Sequence, residues 1–155
     1  MNKTVPVLLI VVGAAAAADA QRSPDFSGTW LLNASSSKNL GVMATMQITE
    51  RVTQSPTEVV INEQSSFQGQ DQARELHYDL SGKPATNEGP MGDRCETVTR
   101  WVDGKLVTTW SSEGAVAGTK VVRTETRSLS VDGKTMSVES VRGANPPLTM
   151  VFEKK

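Results

Sequence analysis

One cysteine (Cys95), one histidine (His77) and one tyrosine (Tyr78) stand in a chain of 155 residues. A lone cysteine closes no internal disulfide, so stability must come from a continuous apolar core. One histidine and one cysteine, with neither H-x-H nor C-x-x-C spacing, leave nothing to build a dedicated zinc centre. No serine sits in a G-x-S-x-G elbow, and His77 alternates with Glu75 and Asp79 opposite Leu76 and Tyr78, which points it to solvent. No catalytic residue, metal ligand or cofactor site is therefore assigned. Glu50 and Glu63 read as charges on strand surfaces. Charge is balanced too: 16 Lys and Arg against 17 Asp and Glu give a net charge of -1, which offers nucleic acid no basic face.

The first residues, MNKTVPVLLIVVGAAAAADAQ, place one lysine before an apolar run and end it with Ala18-Asp19-Ala20. A basic start, a short apolar stretch and an A-x-A site form a secretory signal peptide, so residues 1–20 are expected to be removed. The mature chain is then one domain over residues 21–155, exported to a periplasm or the exterior. No cysteine follows the cut to carry a lipid, and no membrane span is expected after it.

What the mature chain has in quantity is punctuation. The tetrapeptide Val-Asp-Gly-Lys occurs at Val102 to Lys105 and again at Val131 to Lys134. Asp-Gly favours a two-residue hairpin turn, because glycine tolerates the positive φ that a type I′ turn requires. Alternating runs rich in Val, Thr, Leu and Trp flank both copies, as half-buried strands do. Similar runs at 27–33, 44–54, 58–67, 73–80, 94–102, 105–112, 119–131, 134–142 and 148–153 are separated by turn formers. Only 35–40 suggests a turn or two of helix. Consecutive strands joined by short turns make an up-and-down antiparallel sheet, and closing it removes its two edges. The expectation is an all-β, lipocalin-like barrel of about eight to ten strands, with a two-sheet sandwich as rival.

Pairing outward from each turn assigns the faces. The first hairpin opposes Trp101 to Leu106, Thr99 to Thr108 and Thr97 to Trp110; the second opposes Leu129 to Met136, Arg127 to Val138, Glu125 to Ser140 and Arg123 to Arg142. The tryptophan and arginine faces turn inward, with Cys95 on the tryptophan side. Further stripes come from Met46, Ile48 and Val52, from Leu76, Tyr78 and Leu80, and from Leu148, Met150 and Phe152. Such an interior pairs apolar lining with a few polar anchors, as small-molecule sites do. The ligand-binding candidates are Tyr78, Trp101, Trp110, Arg123, Arg127, Met136, Met150 and Phe152. Arginine forks suit planar anions, and Arg127, nearest the apolar end, is the expected anchor.

Two stretches then speak together: PDFSGTW, Pro24 to Trp30, and LTMVFEKK, Leu148 to Lys155. The chain resembles the calycin barrels, namely lipocalins, whose first strand carries Gly-x-Trp, and fatty-acid-binding proteins, which open F-x-G-T-W and end near Y-E-K. It looks most like the exported bacterial lipocalin-like domains that begin D-F-S-G-T-W and carry D-G-K turns. The resemblance implies that Gly28 and Trp30 build a barrel end, with Trp30 as its plug and a ligand cavity above. Two departures stand out. Met150 and Phe152 occupy the places of the R-x-Y clamp of fatty-acid binders, and residues 31–43 are too few for their two-helix lid.

The expected function is non-enzymatic binding or carriage of a small hydrophobic or amphipathic molecule, an anionic one included. The alternative is an interaction module, such as a barrel-type protease inhibitor acting through its loops, an ordered 84–92 loop or the segment 21–25. The sequence leaves oligomeric state open.

Overall fold

The computed structural model describes residues 23–155. The expected signal peptide and its cut site lie outside the described residues. Ten strands follow in chain order: β1 (Gly28–Leu32), β2 (Gln47–Gln54), β3 (Glu58–Phe67), β4 (Gln70–Asp79), β5 (Ala85–Glu88), β6 (Arg94–Val102), β7 (Lys105–Glu113), β8 (Lys120–Leu129), β9 (Thr135–Val141) and β10 (Leu148–Lys154). All pair antiparallel in one sheet of order β4-β3-β2-β1-β10-β9-β8-β7-β6-β5, so each strand lies beside its chain neighbour and the first pairs with the last. This is an up-and-down barrel, closed except for a seam between β4 and β5.

The strand missing from the sequence reading is β5. Its four residues, Ala-Thr-Asn-Glu, follow Pro84 and carry one β-branched side chain, so their pattern is that of a loop. The 84–92 segment is therefore barrel wall through Glu88 and not a free loop throughout. Between β1 and β2 lie two short 3₁₀ turns, Ala34–Ser36 and Gly41–Thr45, flanking and partly overlapping the 35–40 stretch where a turn or two of helix is expected.

The hairpin registers follow the pairing read outward from each Asp-Gly, with Trp101 opposite Leu106 and Leu129 opposite Met136. The two turns nevertheless differ. Asp103 and Gly104 both have positive φ (48° and 73°), as a two-residue type I′ turn requires. In the second copy only Gly133 does, and the loop closes with Gly133 N–H donating to the Ser130 carbonyl at 2.9 Å. The Asp132 carboxylate there accepts from Ser130 Oγ (2.6 Å) and Lys134 N–H (3.1 Å), which holds it below its ordinary pKa and fixes a wider loop. Both turns keep the same register parity, so the inward faces survive. The ladder between β8 and β9 stops at Thr124 and Val141, one pair short of Arg123 and Arg142, and Arg142 is exposed.

One barrel end is sealed. Phe26, Trp30, Leu106, Met136 and Phe152 are each at most 1% exposed there. Full burial of such side chains stabilises by about 1.5 to 3 kcal/mol apiece. Trp30 Nε1 donates to the Phe26 carbonyl at 2.8 Å, and Phe26 stacks on Trp101 with ring centroids 6.0 Å apart. Gln54 ties the entering chain across this end, accepting from Phe26 N–H (3.0 Å) and donating from Nε2 to the Pro24 carbonyl (2.9 Å). Gly28, with φ of 139°, has no Cβ to collide with the Lys154 stem, whose Nζ then reaches 5.2 Å from the Trp30 ring centroid.

The seam is closed by a side chain. Asn87 on β5 presents its amide to the backbone of His77 on β4 as a peptide unit would: His77 N–H donates to Asn87 Oδ1 at 2.7 Å, and Asn87 Nδ2 donates to the His77 carbonyl at 2.8 Å. Asn87 Nδ2 also donates to Thr97 Oγ1 at 2.7 Å. One residue satisfies groups that no ladder reaches.

Candidate functional site

Away from the plug, the barrel interior becomes polar and charged. Alternation puts Glu50 on the inward face of β2 between Ile48 and Val52, and Glu63 on that of β3 beyond Ile61. The sequence reading of both as surface charges is wrong: Glu50 is 1% exposed, and the Glu63 side chain 14%. Their positions within the apolar stripes were the available signal, since a period of two admits no other face.

Each of these carboxylates meets an inward arginine. Arg127 donates from Nη1 and Nη2 to the two Glu50 oxygens at 2.7 and 3.1 Å, and from Nε to Glu125 Oε1 at 3.1 Å. Tyr78 Oη donates to the same Glu125 oxygen at 3.3 Å. Closer to the open end, Arg74 grips Glu63 with two bonds, 2.7 and 2.9 Å. Burial alone would pull the Arg127 pKa down, but Glu50 and Glu125 raise it well above its ordinary value, so the cation persists. Burial pushes the Glu50 carboxyl up, countered in part by Arg127. Burial, with Glu125 beside it, raises the Tyr78 hydroxyl far above its usual range, so it remains a donor.

Trp110 and Arg123 are partnered differently. They are directly opposed on β7 and β8, and the guanidinium carbon lies 4.3 Å from the indole centroid. Trp110 meets Tyr78 edge to face at 5.9 Å and is 2% exposed. Its Nε1 is the buried side-chain polar atom without a hydrogen-bond partner among the described residues. The Arg123 side chain has neither a hydrogen bond nor an ion pair among them.

The candidate residues thus fall at three levels. Trp101, Met136 and Phe152 belong to the plugged end, with Trp101 stacked on Phe26 rather than lining a space above it. Tyr78 and Arg127 lie in the charged middle. Trp110, Arg123 and half-buried Met150 face the opposite half, near half-buried Leu148 on the same face of β10. Arg127, the expected anion anchor, is already satisfied by two carboxylates of the chain itself.

Two other titratable groups take no part in this network, His77 outside the barrel and Cys95 on the inward face of β6. His77 is on the outer wall, its Nδ1 2.8 Å from Glu58 Oε1 and its Nε2 2.9 Å from Glu75 Oε1. Hydrogen bonds from these carboxylates raise its pKa above 6.5. Cys95 is buried and bonded to Asp93 at 3.3 Å, and burial followed by that carboxylate raises its pKa. Such a thiol is a poor nucleophile. A solvent-open depression of about 290 Å³ flanks the seam outside the barrel, walled by Glu75, Thr86, Glu88 and Arg94. Its walls are too polar for an apolar ligand. Among the described residues no cluster of three metal-binding side chains occurs, and no helix is long and apolar enough to cross a membrane.

No protein-family model matches the sequence, and comparison with curated proteins gives no match. Solved structures do match in shape. Human cRBP IV superposes with a TM-score of 0.62 at 18% identity, covering 85% of this chain and 99% of its own. The REP1-NXSQ fatty acid transporter gives 0.65 at 12% identity, over 84% and 96% of the two chains. Apo lipid binding protein 8 of Caenorhabditis elegans gives 0.65 at 14% identity, over 84% and 95%. The chain therefore shares the up-and-down barrel fold of these structures, and the likeness spans nearly the whole of each matched chain.

Proposed function

We propose that this barrel is a non-enzymatic binder of a small hydrophobic or amphipathic molecule. The ligand would sit in the half of the interior remote from the plug, against Trp110 and Met150 and the apolar residues beside them. The observation that carries the reading is the contrast within one barrel: one end is sealed by aromatic packing, while inward side chains near the other remain half-buried. The likeness in fold to proteins titled as a fatty acid transporter and a lipid binding protein supports it. Export to a periplasm or the exterior, from the A-x-A signal, belongs to the same proposal. Titrating intrinsic tryptophan fluorescence with retinol and with 1-decanol tests it. A saturable one-to-one change is expected; a linear, unsaturable response to both would contradict it.

The inhibitor reading gains less. Its loop at 84–92 is in part strand β5, and the Pro24 to Phe26 segment is tied to Gln54 across the plugged end. Neither presents a free insertion loop.

A further inference from the structure

Outside the barrel interior, we propose that the seam-facing edge of β4, from Asp71 to Glu75, docks an extended cationic segment of a partner protein, which adds to the sheet as a further strand. In an antiparallel sheet both backbone groups of every second residue point to the same edge of a strand. His77 turns its N–H and carbonyl to the seam, where the Asn87 amide meets them at 2.7 and 2.8 Å. Asp71, Ala73 and Glu75 share that parity and aim their own N–H and carbonyl groups the same way. The opposite edge of β4 is paired with β3 throughout, from Gln70 opposite Phe67 to Asp79 opposite Glu58. Toward the seam there is no ladder, and these backbone groups meet no backbone partner among the described residues. Asp71, Ala73 and Glu75 are all exposed.

The two edges at the seam are guarded unequally. Sheet edges invite added strands, and proteins blunt them with short strands, proline or bulges. β5 is short, only four residues, is entered through Pro84 and has its Asn87 amide engaged on β4. β4 has ten residues, no proline, and a register with β3 that runs without a bulge. Beside its uncovered half lies the solvent-open depression, walled by the carboxylates of Glu75, Glu88 and Asp93 against the single guanidinium of Arg94. Asp71 adds a further carboxylate on the same outer face as Glu75. Glu75 gives Oε1 to His77 and keeps its other oxygen. A second copy pairing antiparallel about Ala73 would set Asp71 against Glu75, like charge against like. A strand with lysine or arginine at alternate positions places its cations beside those carboxylates instead. Backbone bonds then supply affinity, and the outward carboxylates select the sign.

The test uses three blocked heptapeptides with valine and threonine at alternate positions. The first carries lysine at the remaining positions, the second glutamate there, and the third is the lysine peptide N-methylated along one edge. The lysine peptide is expected to bind one-to-one and to slow amide exchange at Asp71, Ala73 and Glu75 by at least about tenfold. The glutamate and N-methylated peptides should each bind at least about tenfold more weakly, the first through repulsion and the second through lost backbone bonds. Ala73→Pro removes a seam-facing N–H and leaves the bonds to β3 intact, so it should weaken the lysine peptide by about tenfold or more. Asp71→Lys should narrow the preference for lysine over glutamate, and it keeps the test decisive should circular dichroism show Ala73→Pro unfolded. No binding of the lysine peptide, equal binding of the glutamate or N-methylated peptide, or protection confined to other strands would overturn the site. Protection of the β4 amides by dimerisation without peptide would overturn it in favour of a second copy.

Discussion

The two halves of this barrel solve the same problem, filling an interior, with opposite chemistry. At the plugged end each buried polar group finds a partner in the nearby backbone, as Trp30 Nε1 does in Phe26, and the remainder is close-packed hydrocarbon. The other half is built on charges brought in from four strands, Glu63 on Arg74 and Glu50 with Glu125 on Arg127, while Arg123 lies over the Trp110 ring and the Trp110 N–H has no acceptor. Apolar packing is indifferent to a missing partner, whereas a polar network exposes each unmet member. That difference is the ground for proposing the second half as the receptive one.

Breaking the charged middle should have the largest effect on stability. Arg127→Leu strands Glu50 and Glu125 without a counter-charge, and a loss of about 3 to 5 kcal/mol is expected in urea unfolding. Asn87→Ala should come next: it removes the side chain that stands in for the missing ladder and leaves His77 backbone groups unpaired, at about 1 to 3 kcal/mol. A paired comparison then sharpens the contrast between the halves. Trp30→Phe abandons a made hydrogen bond and Trp110→Phe abandons none, so without ligand Trp30→Phe should be the more costly by about 1 kcal/mol.

The smallest effect belongs to the outer wall. Glu58 and Glu75 raise the His77 pKa above 6.5 in the folded chain. Their stabilisation is therefore complete below 6.5 and fades as pH rises through the folded value. His77 is 45% exposed, so the slope is shallow, and His77→Asn should flatten that part of the melting-temperature profile.

Much of this architecture is legible in the sequence because strands obey a period of two. One reliable turn, such as Asp103-Gly104, assigns inward and outward sides to both strands flanking it. The second Val-Asp-Gly-Lys shows how far that goes: its loop is wider than the letters suggest, yet parity preserves Arg127 and Met136 on the inner face. Strand β5 escapes because it is short and held by a side-chain amide rather than by a pattern. The charged interior escapes for another reason. Glu50 lies in an apolar stripe, but its partner Arg127 is on a strand far along the chain, and no local signal couples them. Arg127 is legible as inward, while its being spoken for is not.

The most direct test uses the three indole N–H signals in a ¹⁵N-correlated proton spectrum, with Trp110→Phe assigning its own. On titration with 1-decanol the Trp110 signal should move and saturate while that of Trp30, bonded to Phe26 inside the plug, stays in place. Binding that shifts Trp30 and leaves Trp110 unmoved would contradict the division of the barrel into a sealed half and a receptive one.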